Sequence, residues 1–246
     1  MDPILRITGL SKRFGAVVVA DGVDLDVAPG EALGILGPNG AGKTSLFNMI
    51  AGTIRPDEGR IAFNGDDVSR LAPSHRCRLG IGRSFQIPQP FGGLSVFENL
   101  CVTGYFGRSN AAQSAEVRAV EVLQLTGLLH KANTAAASLT LLERKRLELA
   151  RALAGDPKLL LLDEIAGGLT QHECDELVAA IVTIRMSGVT IVWIEHVVHA
   201  LLAVADRLFV LHQGRALAQG APRDVMASRQ VQEIYLGVEA QADSHV

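Results

Sequence analysis

Short runs of β-branched and aliphatic residues, punctuated by Gly and Pro, recur at residues 4–8, 23–27, 32–36, 60–63, 159–162, 190–194 and 207–211, and these predict strands. Residues 159–162 and 189–194 are continuously apolar rather than alternating, the pattern of strands covered on both faces in a parallel sheet. Between them, residues 173–186 carry apolar side chains at helical spacing, so a βαβ unit is expected. From about residue 95 to 153 no strand is expected. The spacing there is helical: Val117, Val120, Leu123 and Leu125, then Leu147, Ala150 and Leu153. This stretch reads as a helical subdomain inserted into an α/β core, with the small polar stretches 108–115 and 131–138 as its loops. The expected division is a discontinuous core of residues 1–86 and 156–237, a helical subdomain of residues 87–155, and a frayed tail at 238–246 without apolar period.

Composition narrows the function. Of 246 residues, 48% are apolar and 20% charged, as in globular proteins. Aromatics at 4% and a net charge of −3 leave neither base-stacking platforms nor an electrostatic footprint, so no nucleic-acid partner is expected. Cys77, Cys101 and Cys174 lie far apart, which suggests buried thiols in a reducing compartment rather than a disulfide framework or zinc site. The N-terminus has no basic region followed by an apolar one, and no apolar run approaches 18 residues. A role at a membrane is expected to run through a partner that spans it.

Chemistry enters at residue 37. Gly37-Pro38-Asn39-Gly40-Ala41-Gly42-Lys43-Thr44 matches G-x-x-x-x-G-K-[ST] between a predicted strand and a helical run at 45–51. Its glycines let successive N–H groups point at phosphate oxygens, and the helix N-terminus adds positive potential. Lys43 is expected to reach the β- and γ-phosphates and Thr44 to place its hydroxyl on Mg²⁺. Asp163 and Glu164 end the apolar run 159–162. Alone, such a pair is more often a helix N-cap. Beside a phosphate loop, Asp163 reads as the Mg²⁺ carboxylate and Glu164 as the general base of a nucleoside-triphosphate hydrolase.

With these motifs in order, the chain resembles the ATP-binding subunits of ABC transporters over nearly its whole length. The resemblance implies a P-loop α/β core with a mostly parallel sheet, an N-terminal antiparallel β portion and the inserted helical subdomain, with ATP and Mg²⁺ as ligands. It further implies that Phe14 stacks on adenine, that Gln86 meets Mg²⁺ and the attacking water, and that His196 contacts the γ-phosphate. The segment 80–86, the run 90–100 and Ile234-Tyr235-Leu236-Gly237 look like the hydrophobic amino-acid uptake group, importers of branched-chain amino acids, urea and short amides. Lipopolysaccharide-extracting exporter ATPases are similar down to that Tyr-Leu-Gly, and soluble non-transport relatives usually carry two cores or a long coiled-coil insertion. The implied partners are transmembrane permease subunits docked near residues 86–93, a second ATPase subunit, identical or not, and indirectly a solute-binding protein. The implied location is peripheral, on the cytoplasmic side of the plasma membrane.

Two loops depart from the family pattern. Where Leu-Ser-Gly-Gly-Gln is usual, the chain has Leu139-Thr140-Leu141-Leu142-Glu143. Thr140 and Glu143 satisfy a capping box, so a helix is expected to start there with outward N–H groups facing the partner's nucleotide, while Leu141 and Leu142 either alter that site or simply pack. Ile165 and Thr170 replace the usual Pro and Asp or Asn. Arg144-Lys145-Arg146 is expected to be a solvated helix face.

Overall fold

Alternating burial marks the first of two sheets. The computed structural model describes residues 2–107 and 113–234, so the expected tail and Tyr235-Leu236-Gly237 lie outside the described residues. β1 (Leu5–Phe14) pairs antiparallel with β2 (Val17–Val27), β3 (Ala32–Leu36) leaves for the second sheet, and β4 (Glu58–Phe63) and β5 (Asp66–Asp67) complete the order β2-β1-β4-β5. In β2, Val23, Leu25 and Val27 point inward while Asp24 and Asp26 are exposed, as expected of a sheet with one wet face.

The second sheet is built from strands buried at every position, β3, β7 (Leu159–Asp163) and β8 (Thr190–Ile194). With β6 (Ile81–Arg83), β9 (Arg207–His212) and β10 (Arg215–Gly220) the order is β10-β9-β3-β8-β7-β6, parallel except for β10. The continuous apolar runs are thus two-faced. Leu160, Leu162, Ile191 and Trp193 enter one apolar cluster; Leu159, Leu161, Val192 and Ile194 enter the other, shared with the antiparallel sheet and with α1 (Lys43–Ala51).

The helices between the strands are α2 (Pro73–Leu79), α3 (Val96–Phe106), α4 (Ala115–Leu125), α5 (Leu141–Ala154), α6 (Gln171–Met186), α7 (Val198–Val204) and α8 (Pro222–Ala227). α3, α4 and α5 pack on one another, and α5 also touches β6, β7 and α6. Leu100, Leu123, Leu147 and Leu153 share one cluster with Leu160 and Leu162, so the inserted helices continue the sheet's apolar face. Between α4 and α5, two 3₁₀ turns and a single bridge from Ser95 to Ala135 organise the stretch expected as loop.

Candidate active site

Because β6, β7, β8 and β3 are adjacent and parallel, their C-terminal ends open on one edge of the sheet, where ligands bind in open α/β folds. The phosphate loop leaves β3 there. Gly40 and Gly42 adopt φ of 78° and 104°, and a Cβ on Gly42 would lie 2.1 Å from the Val19 carbonyl oxygen, so only glycine fits. α1 then begins without a side-chain cap and without an acidic residue in its first turn, leaving its free N–H groups and positive dipole end for an anion. Lys43 is buried, and its Nζ donates to Gly37 O at 2.7 Å and Pro38 O at 3.1 Å. Burial pushes its ammonium below the usual lysine range, opposed by Glu164 and Asp163. Thr44 stands exposed in the first turn.

Asp163 closes β7. Its Oδ2 accepts from Arg83 Nη2 at 3.0 Å, and Arg83 Nη1 donates to Asn48 Oδ1 at 2.7 Å. Its Oδ1 is buried with no hydrogen-bond partner among the described residues. Burial pushes the carboxyl above the ordinary aspartate range, with Arg83 pulling the other way.

One residue later, Glu164 sits at φ 47°, a left-handed backbone held by its N–H on Ile194 O at 2.9 Å. Strain of this kind persists where surrounding structure enforces it. Glu164 Oε2 accepts from Gln86 Nε2 at 2.7 Å, and its Oε1 lies 2.7 Å from His196 Nε2. Three residues from three strand ends therefore meet. Phe14 and Thr140 stand apart from this cluster. Phe14 is half exposed at the end of β1 with Lys12 Nζ 5.3 Å from its ring centre. Thr140 caps α5 in the expected box, accepting from Glu143 N at 3.3 Å while its own N–H donates to Glu143 Oε2 at 2.9 Å.

The expected solvated face at 144–146 holds for Arg144, which is exposed, and is corrected for Lys145 and Arg146. Lys145 is only 5% exposed, and its Nζ donates to Gln86 O at 2.9 Å and reaches Glu164 O at 3.5 Å. Arg146 pairs with Glu176 at 2.6 Å, and Arg144 donates to Leu139 O at 2.9 Å. The physical reason is that α5 packs on several sides. Buried positions 145, 148, 149 and 152 form an i, i+3, i+4, i+7 stripe, but Lys145 and Glu148 are charged, so the apolar pattern of the sequence does not display it. Glu195 was also missed: its Oε1 accepts from His196 N at 2.9 Å and Val197 N at 3.3 Å, and its Oε2 accepts from Ala166 N at 3.0 Å.

A sequence profile of the ABC transporter family matches residues 20–167. A probable ABC transporter ATP-binding protein of Azorhizobium caulinodans is 37% identical over 96% of this chain and 83% of its own length. The high-affinity branched-chain amino acid transport ATP-binding protein LivG of Escherichia coli is 35% identical over 96% of this chain and 98% of its own. The lipopolysaccharide export system ATP-binding protein LptB of Escherichia coli is 36% identical over 95% and 97%. The ADP conformation of an ATP-binding cassette from an ABC transporter superposes with a TM-score of 0.87 at 31% identity, covering 96% of this chain and 100% of that one.

Proposed function

The chain belongs to the ABC transporter family of ATP-binding proteins, and on that premise we propose that it drives an importer of branched-chain amino acids or related small polar or amide solutes. It is an ATP hydrolase of the ABC type. The observation that carries the reading is the Glu164 carboxylate, fixed through both oxygens by Gln86 and His196 at the strand ends beside the phosphate loop.

In this reading the loop amides and Lys43 hold the β- and γ-phosphates, and Phe14 stacks on the adenine. Glu164 takes the proton of the attacking water as general base. Gln86 orients that water, and His196 contacts the γ-phosphate while steadying the carboxylate. Mg²⁺, when bound, neutralises charge on the β- and γ-phosphate oxygens. Thr44, Gln86 and Asp163 would hold it. The buried, unpartnered Oδ1 of Asp163 fits a metal-bound water.

The helix start at Thr140 faces the ATP of a second ATPase subunit, identical or different. Permease subunits dock on residues 85–91, where Phe85, Ile87 and Phe91 are exposed, and where Arg151 donates to Gln89 O at 2.9 Å and stacks 5.1 Å from the Phe91 ring centre. Among the described residues no helix is long and apolar enough to cross a membrane. In this reading the subunit works peripherally, on the cytoplasmic side of the plasma membrane, with a solute-binding protein acting through the permeases.

A second reading, export, has its own support, because LptB at 36% identity is as similar as LivG at 35%. Uptake of labelled leucine, urea and acetamide by a strain lacking the gene separates the two. Lost uptake of one of them, restored by the wild-type gene and not by Glu164→Gln, carries import. Normal uptake with lipopolysaccharide retained in the inner membrane replaces it by export, and neither defect overturns a transport role.

A further inference from the structure

Two buried charges outside every motif of the site hold its backbone. Lys145, on α5, donates to the main-chain oxygen of Gln86 at 2.9 Å and reaches that of Glu164 at 3.5 Å. These are the two residues whose side chains meet at 2.7 Å. Glu195, directly after β8 and 1% exposed, accepts from the N–H groups of Ala166, His196 and Val197, and so holds the backbone at His196 and just past Glu164.

A buried ammonium has lost its hydration, and an apolar side chain of similar volume would often fill the same space with no loss of stability. The charge stands instead where its donors reach two main-chain carbonyls. Burial pushes the Lys145 ammonium below the ordinary lysine range, and Glu195 opposes this most, followed by Glu164 and Glu148. Each link is short-range, since a hydrogen bond is lost when donor and acceptor separate by about 1 Å beyond their usual distance. Displacement of α5 on that scale therefore releases the backbones of Gln86 and Glu164 together.

We propose that Lys145 is a positioning residue for ATP hydrolysis, holding the Gln86 and Glu164 backbones from α5 so that turnover depends on where that helix lies. The proposal rests on the hydrolysis reading above and deepens it. Lys145 reaches the main-chain oxygens of Gln86 and Glu164 and acts through that pair.

The test uses the purified full chain, steady-state ATPase kinetics and calorimetric ATP binding. Lys145→Met lowers kcat by about tenfold or more while KM and the ATP Kd stay within about threefold of wild type. In a Glu164→Gln background the same substitution changes the residual rate by less than about threefold, because the carboxylate it serves is already gone. An unchanged kcat, a parallel loss of kcat and ATP affinity, or full additivity with Glu164→Gln overturns the proposal. If Lys145→Met does not fold, Lys145→Gln is read by the same criteria, and failure of both to fold marks the cation as structural support and overturns it as well. Failure of the underlying reading looks different: Glu164→Gln would be as active as wild type, whatever Lys145→Met does.

Discussion

Adjacent carboxylates at the end of β7 have opposite surroundings, so their substitutions separate. Glu164→Gln retains the hydrogen bond from Gln86 but removes the base, and hydrolysis slows by roughly 10²- to 10⁴-fold with ATP binding kept, as read by phosphate release beside calorimetry. Lys43→Ala removes the buried cation of the loop and abolishes measurable ATP binding in the folded protein. Arg83→Leu acts on Asp163. With Oδ1 already unpartnered, the carboxylate loses its ion pair with Arg83 and the fold loses about 3 to 5 kcal/mol in chemical denaturation, much of it regained in the double variant with Asp163→Asn. The sequence displays these residues unequally. The phosphate loop and the Asp163-Glu164 pair are contiguous, so their chemistry is written in spacing. Gln86 and His196 are single polar residues in loops, visible through family resemblance and gathered only by the fold. Lys145 is charged and reads as part of a solvated face, and Arg83 and Glu195 carry no spacing signal of their own, although each is held at main-chain or carboxylate partners near the sheet edge.

Elements follow the same logic, and the start of α5 shows how a capping box can be tested. Hydrogen bonds from the Thr140 backbone and the Lys131 ammonium hold the Glu143 carboxyl below the usual glutamate range. A depressed folded pKa gives stability that is present above the unfolded value, about 4.3, and lost as pH falls through the folded one. Glu143→Gln is therefore less stable than wild type at neutral pH, and the difference vanishes in urea titrations run well below that value. Thr140→Ala destabilises by about 1 kcal/mol at either pH, because its hydroxyl does not titrate. The fully buried β3, β7 and β8 were legible because burial on both faces leaves an unbroken apolar run. β1 and β2 extend beyond the predicted runs because register shifts, between Ile7 and Leu10 and again past Leu10, break the period of two. β6 has three residues and β10 is an edge strand that alternates little. α2 hides its inward face behind Arg76, whose guanidinium donates to Met49 O and Ile50 O at the end of α1, so a buried residue looked polar.

On the scale of the proposed assembly, the altered residues at the start of α5 are expected to set whether two ATP sites turn over alike. The structure separates the two leucines. Leu142 packs against the large apolar cluster, whereas Leu141 is 46% exposed, with its Cδ2 3.6 Å from where a Cβ of Gly168 would stand. Leu142 thus packs, half-buried, onto the core, and Leu141 occupies the face that the proposed second subunit covers. In the proposed arrangement this helix start completes the partner's site, and a leucine there holds the opposing γ-phosphate away from the free N–H groups. Loss of one charge-assisted contact is worth about 1.5 to 3 kcal/mol, or roughly 10- to 100-fold in rate at that site. Leu141→Gly, at a helix cost of about 1 kcal/mol, then raises ATP turnover of the assembled transporter, while Leu142→Gly lowers stability without raising turnover. Glu164→Gln placed in this same subunit silences its own site and leaves only that of a different, intact partner, the site its Leu141 covers, and turnover is compared with and without Leu141→Gly in that background. Turnover with Leu141→Gly at or below the rate without it removes the asymmetry, and the capped helix start at Thr140 is then sufficient by itself to complete the neighbouring site.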